Sequence, residues 1–265
     1  MFTNDTMLHT NINGVNYLQF KKLLELNIKH CFVLNELNFS FKLQSEEKNL
    51  ESFKTVTKDF NFNLDNLCRP CQEHTNTVLI VKDKKGRNIP EFNDCDGLIT
   101  NQKETPLAIT TADCIPIIIY DPVNKVIANV HSGWKGTLNT IIINAINKMQ
   151  DSFDSKFEDL LFFFGPSICT QCFEVQTDVR DLFYNKFSYL PNINQIIKIG
   201  KIVNGIQKYN IDTLLLNKTL LNNLNISNKN MYFSNICTCC NSKYMHSYRA
   251  RKSNIFGLGV TIVSL

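Results

Sequence analysis

Residues 108–137 read AITTADCIPIIIYDPVNKVIANVHSGWKGT, and this stretch decides the fold. From Ile115 to Tyr120 the chain is an apolar, largely β-branched run, closed by Asp121-Pro122, a dipeptide that turns the chain. A second apolar segment, 123–130, follows and ends at His131. Ser132-Gly133-Trp134-Lys135-Gly136-Thr137 then leads into 138–149, where apolar side chains recur at helical spacing. The pattern predicts strand, tight turn, strand, helix. An antiparallel hairpin sets the start of its first strand beside the end of its second. Asp113, Cys114 and His131 are therefore expected to converge, and convergence of such groups is what chemistry needs.

Moving outward toward the N-terminus, 96–100 and 77–81 predict strands, and 82–93, charged and carrying Gly86 and Pro90, predicts a loop or hairpin tip. Residues 48–60 space Leu50, Phe53 and Val56 as a helix does. Strands are expected at 39–43 and 30–34, a short edge segment at 20–26, and a strand-like or frayed arm over 1–20. In the other direction, 160–164 predicts a buried strand ending at Gly165-Pro166, and 177–187 a helix. Short extended pieces follow at 195–199 and 201–203. A helix is expected over 211–224, with Asp212 near its start, where a carboxylate suits the helix dipole. Strands at 232–236 and 255–263 complete the pattern. No linker or internal repeat interrupts it, which predicts a single α+β domain over 1–265.

Composition narrows the function. The chain is 43% hydrophobic and 20% charged, as soluble domains are, and a net charge of +4 is too mild to argue for nucleic acid. No window has the apolar length of a membrane span. The opening MFTNDTMLHTNING is polar and lacks the apolar core of a secretory signal, so a cytoplasmic location is expected. Ten cysteines then favour reduced thiols, metal ligands or core residues over a disulfide framework.

Three residues are candidate metal ligands: His74, Cys114 and His131. Zinc takes imidazole nitrogen and thiolate sulfur, and a catalytic site keeps three protein ligands and one open position. Spacing alone favours the plainer reading, in which each is a packed or hydrogen-bonded side chain. The same residues also suit nucleophilic catalysis, with Cys114 as thiolate, His131 as base and Asp113 or Gln72 as orienter. Ligation would consume the thiolate, so the two readings exclude each other. Cys68-Arg69-Pro70-Cys71 has the form of a redox dithiol but lacks the helix that should follow it. Cys169-Thr170-Gln171-Cys172 and the group Cys237, Cys239 and Cys240 admit a structural zinc, with inert buried thiols as the preferred reading. Arg249 and Arg251 are either a solvated pair or a phosphate or carboxylate clamp.

In order along the chain stand Gln72-x-His74, Asp96-Gly97-Leu98-Ile99-Thr100-Asn101, Thr111-Ala112-Asp113-Cys114-x-Pro116 and His131-Ser132-Gly133-Trp134-Lys135-Gly136. Gly165-Pro166-x-Ile168, Cys172-Phe173-Glu174-Val175, Cys237-Thr238-x-Cys240 and Ser247-Tyr248-Arg249 follow. Together they resemble the laccase-domain family, also called the multicopper polyphenol oxidase or purine nucleoside phosphorylase family. The resemblance implies a mixed β-sandwich flanked by helices and a zinc ion, with copper as the alternative, on His74, Cys114 and His131. It implies an enzyme that phosphorolyses adenosine, inosine, guanosine and methylthioadenosine and deaminates adenosine. The alternatives are a copper laccase and a Cys114-dependent amidohydrolase that edits peptidoglycan precursors. Asp113, Cys114 and His131 become the catalytic candidates; Gln72, Lys135, Arg249 and Arg251 become candidates for binding nucleoside and phosphate. A laccase needs more histidines for its coppers than the five present. Two departures stand out. The Arg and Gly pair usual in the family's N-terminal part are missing from Val33-Leu34-Asn35-Glu36-Leu37-Asn38. Its closing Gly-Arg is replaced by Phe256-Gly257-Leu258-Gly259. Phosphate binding would then fall to Lys135, Arg249 or Arg251.

Overall fold

Asn13 and Gly14 both take positive φ, 52° and 88°, the geometry of a two-residue hairpin turn. They join β1 (Met7–Ile12) to β2 (Val15–Phe20), with Ile12 opposite Val15. The arm expected over 1–20 is thus a regular hairpin in this computed structural model, which describes residues 2–82, 92–251 and 256–265. The edge segment expected at 20–26 is a helix, α1 (Lys21–Glu25), followed by β3 (Lys29–Val33). No strand forms over 39–43; Phe39 drops into the core against Phe53, 5.0 Å between ring centroids, and its N–H bonds to Leu258 O. The helix α2 (Glu46–Phe60) starts where the Ser45 side chain accepts from Lys48 N–H, and stops at left-handed Asn61.

β4 (Val78–Ile80), β5 (Gly97–Thr100) and β6 (Leu107–Thr111) precede the central hairpin, β7 (Ile115–Asp121) and β8 (Val126–Ser132). The loop expected at 82–93 lies mostly in 83–91, outside the described residues. The helix expected at 138–149 is two, α3 (Trp134–Leu138) and α4 (Ile141–Phe153), broken at Thr140, whose φ is 56°. Then come β9 (Leu161–Phe164), β10 (Glu174–Val175), α5 (Thr177–Phe187) and α6 (Ile193–Ile196). The pieces expected at 195–199 and 201–203 merge into β11 (Ile197–Val203), which turns at Asn204-Gly205 into β12 (Ile206–Ile211). α7 (Thr213–Asn223) is capped by Asp212, whose carboxylate accepts from Leu215 N–H. β13 (Met231–Phe233), α8 (Tyr248–Arg251) and β14 (Gly259–Ser264) complete the described elements.

Among the described residues, one sheet runs β1-β2-β3-β14-β6 and another β13-β9-β7-β8-β5-β4; a smaller one runs β10-β12-β11. The pairs β4–β5 and β9–β13 are parallel and the rest antiparallel. Alternation along β7 explains the layers. Ile118 and Tyr120 face a core shared with Leu18, Phe20, Phe32 and Val263 of the first sheet. Ile117 and Ile119 face the opposite way, onto Ile142, Ile146 and Met149 of α4. Both faces of the strand are buried, which is why the run is continuously apolar. On the outside of the first sheet, Tyr17, Cys31 and Ile262 pack on Phe53 and Val56 of α2. The architecture is a mixed α+β sandwich flanked by helices, as expected.

Candidate active site

Pro116 lies opposite His131 and Ile115 opposite Ser132. Cys114, one residue ahead of β7, therefore reaches the end of the sheet from which His131 projects. His74 arrives from the segment before β4, placing its Nε2 3.9 Å from Cys114 Sγ and its ring 4.9 Å from that of His131. One donor atom from each of His74, Cys114 and His131 lies within 4.8 Å of the others.

A buried carboxylate arranges this group. Asp96 Oδ1 accepts from His131 Nδ1 at 2.7 Å and from His74 N–H at 3.1 Å. Its Oδ2 accepts from Thr75 N–H at 2.6 Å, from the Thr75 hydroxyl at 2.8 Å and from Glu73 N–H at 3.3 Å. One side chain thus orients both imidazoles, His131 through its ring and His74 through its backbone, which holds a left-handed φ of 58°. A carboxylate on Nδ1–H leaves the Nε2 lone pair for a ligand. Burial pushes the Cys114 thiol up, but His131 and His74 outweigh it and hold it well below the ordinary thiol range. Burial likewise disfavours the His131 cation, and Cys114 and Asp96 together raise its pKa despite that. The site is built to keep sulfur as thiolate. Gly133 lets the loop close over it: a Cβ there would stand 2.7 Å from His74 Cδ2 and 3.2 Å from Cys114 Sγ.

The donors fit a zinc ion. Tetrahedral bonds of about 2.3 Å to sulfur and about 2.0 Å to nitrogen place S and N about 3.5 Å apart, close to the Cys114–His74 separation. Three protein donors leave one position open, and the soft thiolate with two imidazoles suits copper as well.

A cavity of about 580 Å³ opens over the cluster. Gln72 is on its wall, fixed by Thr110, whose N–H and hydroxyl donate to Gln72 Oε1 and whose carbonyl accepts from Nε2. Asp113 also lines it, at a φ of 85°. Its Oδ1 accepts from the Thr238 hydroxyl at 2.6 Å and its Oδ2 from Arg249 N–H at 2.7 Å, so both oxygens are engaged. The Arg249 guanidinium borders the cavity and donates from one nitrogen to Cys172 O and Glu174 O. Lys135 and Arg251 are not among the lining residues. Lys135 Nζ stands 5.7 Å from the Trp134 ring, and Arg251 is exposed at the end of α8.

Sequence reasoning gave no role to Asp96, nor to several wall residues. Phe41, Lys42, Arg69, Tyr248 and Phe256 all line the cavity. The Arg69 guanidinium sits 3.8 Å over the Phe41 ring, and Tyr248 meets Phe256 edge-on at 4.9 Å. Phe256 belongs to the segment in which the family's Gly-Arg is missing.

A family model described as multi-copper polyphenol oxidoreductase laccase matches residues 29–265. The chain belongs to that family. A purine nucleoside phosphorylase of Clostridium acetobutylicum is 30% identical over 240 residues, 90% of this chain and 93% of that one. A purine nucleoside phosphorylase of Borreliella burgdorferi is 32% identical over 236 residues, 84% of this chain and 96% of the other. In fold, the laccase-family chain superposes on the YfiH hypothetical protein of Bacillus licheniformis with a TM-score of 0.85 and 22% identity, covering 99% and 100% of the two chains. YlmD from Geobacillus stearothermophilus gives a TM-score of 0.82 at 18% identity over 97% and 98%.

Proposed function

We propose that this laccase-family chain is a zinc-dependent purine nucleoside enzyme, phosphorolysing adenosine, inosine, guanosine and methylthioadenosine and deaminating adenosine. The observation that carries the reading is the His74, Cys114 and His131 donor group, aligned by Asp96, at a cavity walled by aromatic and cationic side chains. The names of two relatives, each a purine nucleoside phosphorylase, support its phosphorolysis part.

His74, Cys114 and His131 hold the ion, which when bound supplies Lewis acidity and lowers the pKa of water. Phe41, Phe173, Tyr248 and Phe256 offer ring faces to a flat purine. In phosphorolysis a phosphate oxygen bonds to ribose C1′ as the bond from C1′ to the purine nitrogen breaks, and the purine leaves with the electron pair. Phosphate must then sit beside C1′. The free side of the Arg249 fork, with Lys42 and Arg69 on the wall of the same cavity, supplies the positive charge. These cations take up the task of the arginines that the family pattern would have supplied. Asp113, with one bond to each oxygen, acts as the orienting carboxylate that holds Arg249 by its backbone N–H, and Gln72 lines the same cavity. We place the enzyme in the cytoplasm, where its thiols stay reduced; no described helix is long and apolar enough to cross a membrane.

A second reading rests on one observation, the mutual stabilisation of the Cys114 thiolate and the His131 cation, which also suits a thiol amidohydrolase. Metal analysis of protein purified without added metal, followed by incubation with adenosine with and without phosphate, tests both. Adenine that appears only with phosphate, inosine in either case, and loss of metal at this site together with turnover in His74→Ala and Cys114→Ala support the zinc enzyme. Turnover retained without metal overturns it, and coppers in place of zinc favour the laccase.

A further inference from the structure

We propose that Cys169, Cys172, Cys237 and Cys240 form a second metal site, a tetrathiolate zinc centre that staples together the two loops making one wall of the cavity. Their four sulfurs all lie within 4.8 Å of one another, and Cys172 Sγ is 3.5 Å from Cys240 Sγ. Four thiolates around one zinc at about 2.3 Å stand about 3.8 Å apart along every edge of the tetrahedron. Disulfides would instead draw the sulfurs into two bonded pairs at about 2.05 Å. A mutual gathering of all four is the arrangement a single ion asks for.

The backbone supports the same reading. Cys169 N–H and Cys240 N–H both point at Cys237 Sγ, at 3.2 Å and 3.4 Å. Amide donors aimed at sulfur favour thiolate over thiol. Each pair is a C-x-x-C turn, and in the first the N–H groups of Cys172 and Phe173 return to Cys169 O. The linear gap between the pairs is far too long for a zinc finger, but the fold removes it. β9 and β13 run parallel with Phe164 opposite Phe233, and their extensions meet again at a Ser167–Cys237 bridge. Asn235, at a φ of 56°, takes up the one extra residue between these two points. Cys239, inside the second turn, packs against the Phe183 and Phe187 core and is not one of the four gathered sulfurs. Cys31, Cys68 and Cys95 are buried in the apolar cores, and Cys71 is exposed on the cavity wall.

The staple reaches the candidate active site through single bonds. Thr238, inside the second turn, donates its hydroxyl to Asp113, and Cys172 O in the first turn accepts from Arg249. Ile168 N–H, just ahead of Cys169, donates to Asp113 O. Loading the centre fixes the two groups that shape the wall next to Cys114, whatever reaction occurs there.

The experiment reconstitutes the full chain, stripped by chelator under reductant, with zinc alone and then with cobalt(II) alone. Wild type is expected to hold two zinc ions per chain, and Cys172→Ser/Cys240→Ser one. His74→Ala should also hold one and keep the intense sulfur-to-cobalt charge-transfer bands of a tetrathiolate. Melting temperature should fall when the second ion is lost. Zinc content insensitive to the two serines overturns the proposal, as does a Cys172–Cys240 disulfide in freshly purified reduced protein. If the serine variant does not fold, the cobalt spectrum of His74→Ala decides, and bands weaker than those of four thiolates defeat the assignment.

Discussion

Asp96 carries more of the site than any candidate ligand does, because one carboxylate orients two imidazoles from different parts of the chain. Asp96→Asn removes the charge facing His131 Nδ1 and can place an amide N–H where an acceptor stood. Orienting partners of ligating histidines are worth about 10–100-fold in metal affinity. Zinc affinity at His74, Cys114 and His131 is therefore expected to fall by about that factor in Asp96→Asn, read by competition with a chromophoric chelator. An unchanged affinity would show that the two rings hold themselves in place. Gly133→Ala tests the same cluster by volume: its methyl must displace the His74 ring, and metal retention should drop while the sandwich still folds. Cys114 and His131 were legible because a hairpin register alone brings them together. Asp96 was not, since nothing linear ties a carboxylate to partners 22 and 35 positions away. Lys42 and Phe41 were hidden for a related reason, lying on a loop whose path is set by Asn38 side-chain bonds to Ser40 N–H and Leu258 N–H.

At the level of elements, what could be read depended on how many faces an element buries. β7 and β8 are covered on both sides, so their composition alone announced strands. The β1–β2 hairpin has polar, partly exposed positions and was read only as an arm, although Asn13-Gly14 is the turn its strands require. The same oversight recurred at Asn204-Gly205, with φ of 50° and 74°, between β11 and β12. In both cases the turn chemistry was the signal and hydrophobic pattern hid it. Gly14→Ala isolates the cost of that geometry, since no atom lies within 4 Å of a Cβ built there. Any loss comes from forcing a methyl-bearing residue to φ 88°, about 1 kcal/mol. Urea unfolding should show a lower midpoint with an unchanged slope; an equal midpoint would mean that the turn relaxes to another type without cost.

Across the whole molecule, apolar patterning predicted a single α+β domain, and the sandwich flanked by helices came from the family resemblance. Strands that are apolar on both faces need covering on both, which is the physical reason for the layers. What patterning could not supply was the polar interior of the sandwich, and His30 shows its consequence for stability. His30 is fully buried on β3, where Nε2 accepts from Phe20 N–H at 2.7 Å and Nδ1 donates to Ile28 O at 2.9 Å. The ring is thereby fixed as the neutral tautomer, and burial lowers its pKa from 6.5 to about 4. In the unfolded chain the same group takes its proton near pH 6.5. Between those values the unfolded state binds more protons, so stability must decline as pH falls. The contribution is whole above pH 6.5 and lost by pH 4, a span of about 3 kcal/mol. Carboxylates titrate near the lower end too, so the comparison that isolates His30 is with His30→Gln, whose amide oxygen can still accept from Phe20 N–H. Denaturant unfolding at several values from pH 7 to pH 4 should find wild type losing more stability on acidification than the variant, and the gap between them closing or reversing. Parallel curves would mean that the folded protein accommodates the His30 cation, against the closed hydrogen-bond geometry around this ring.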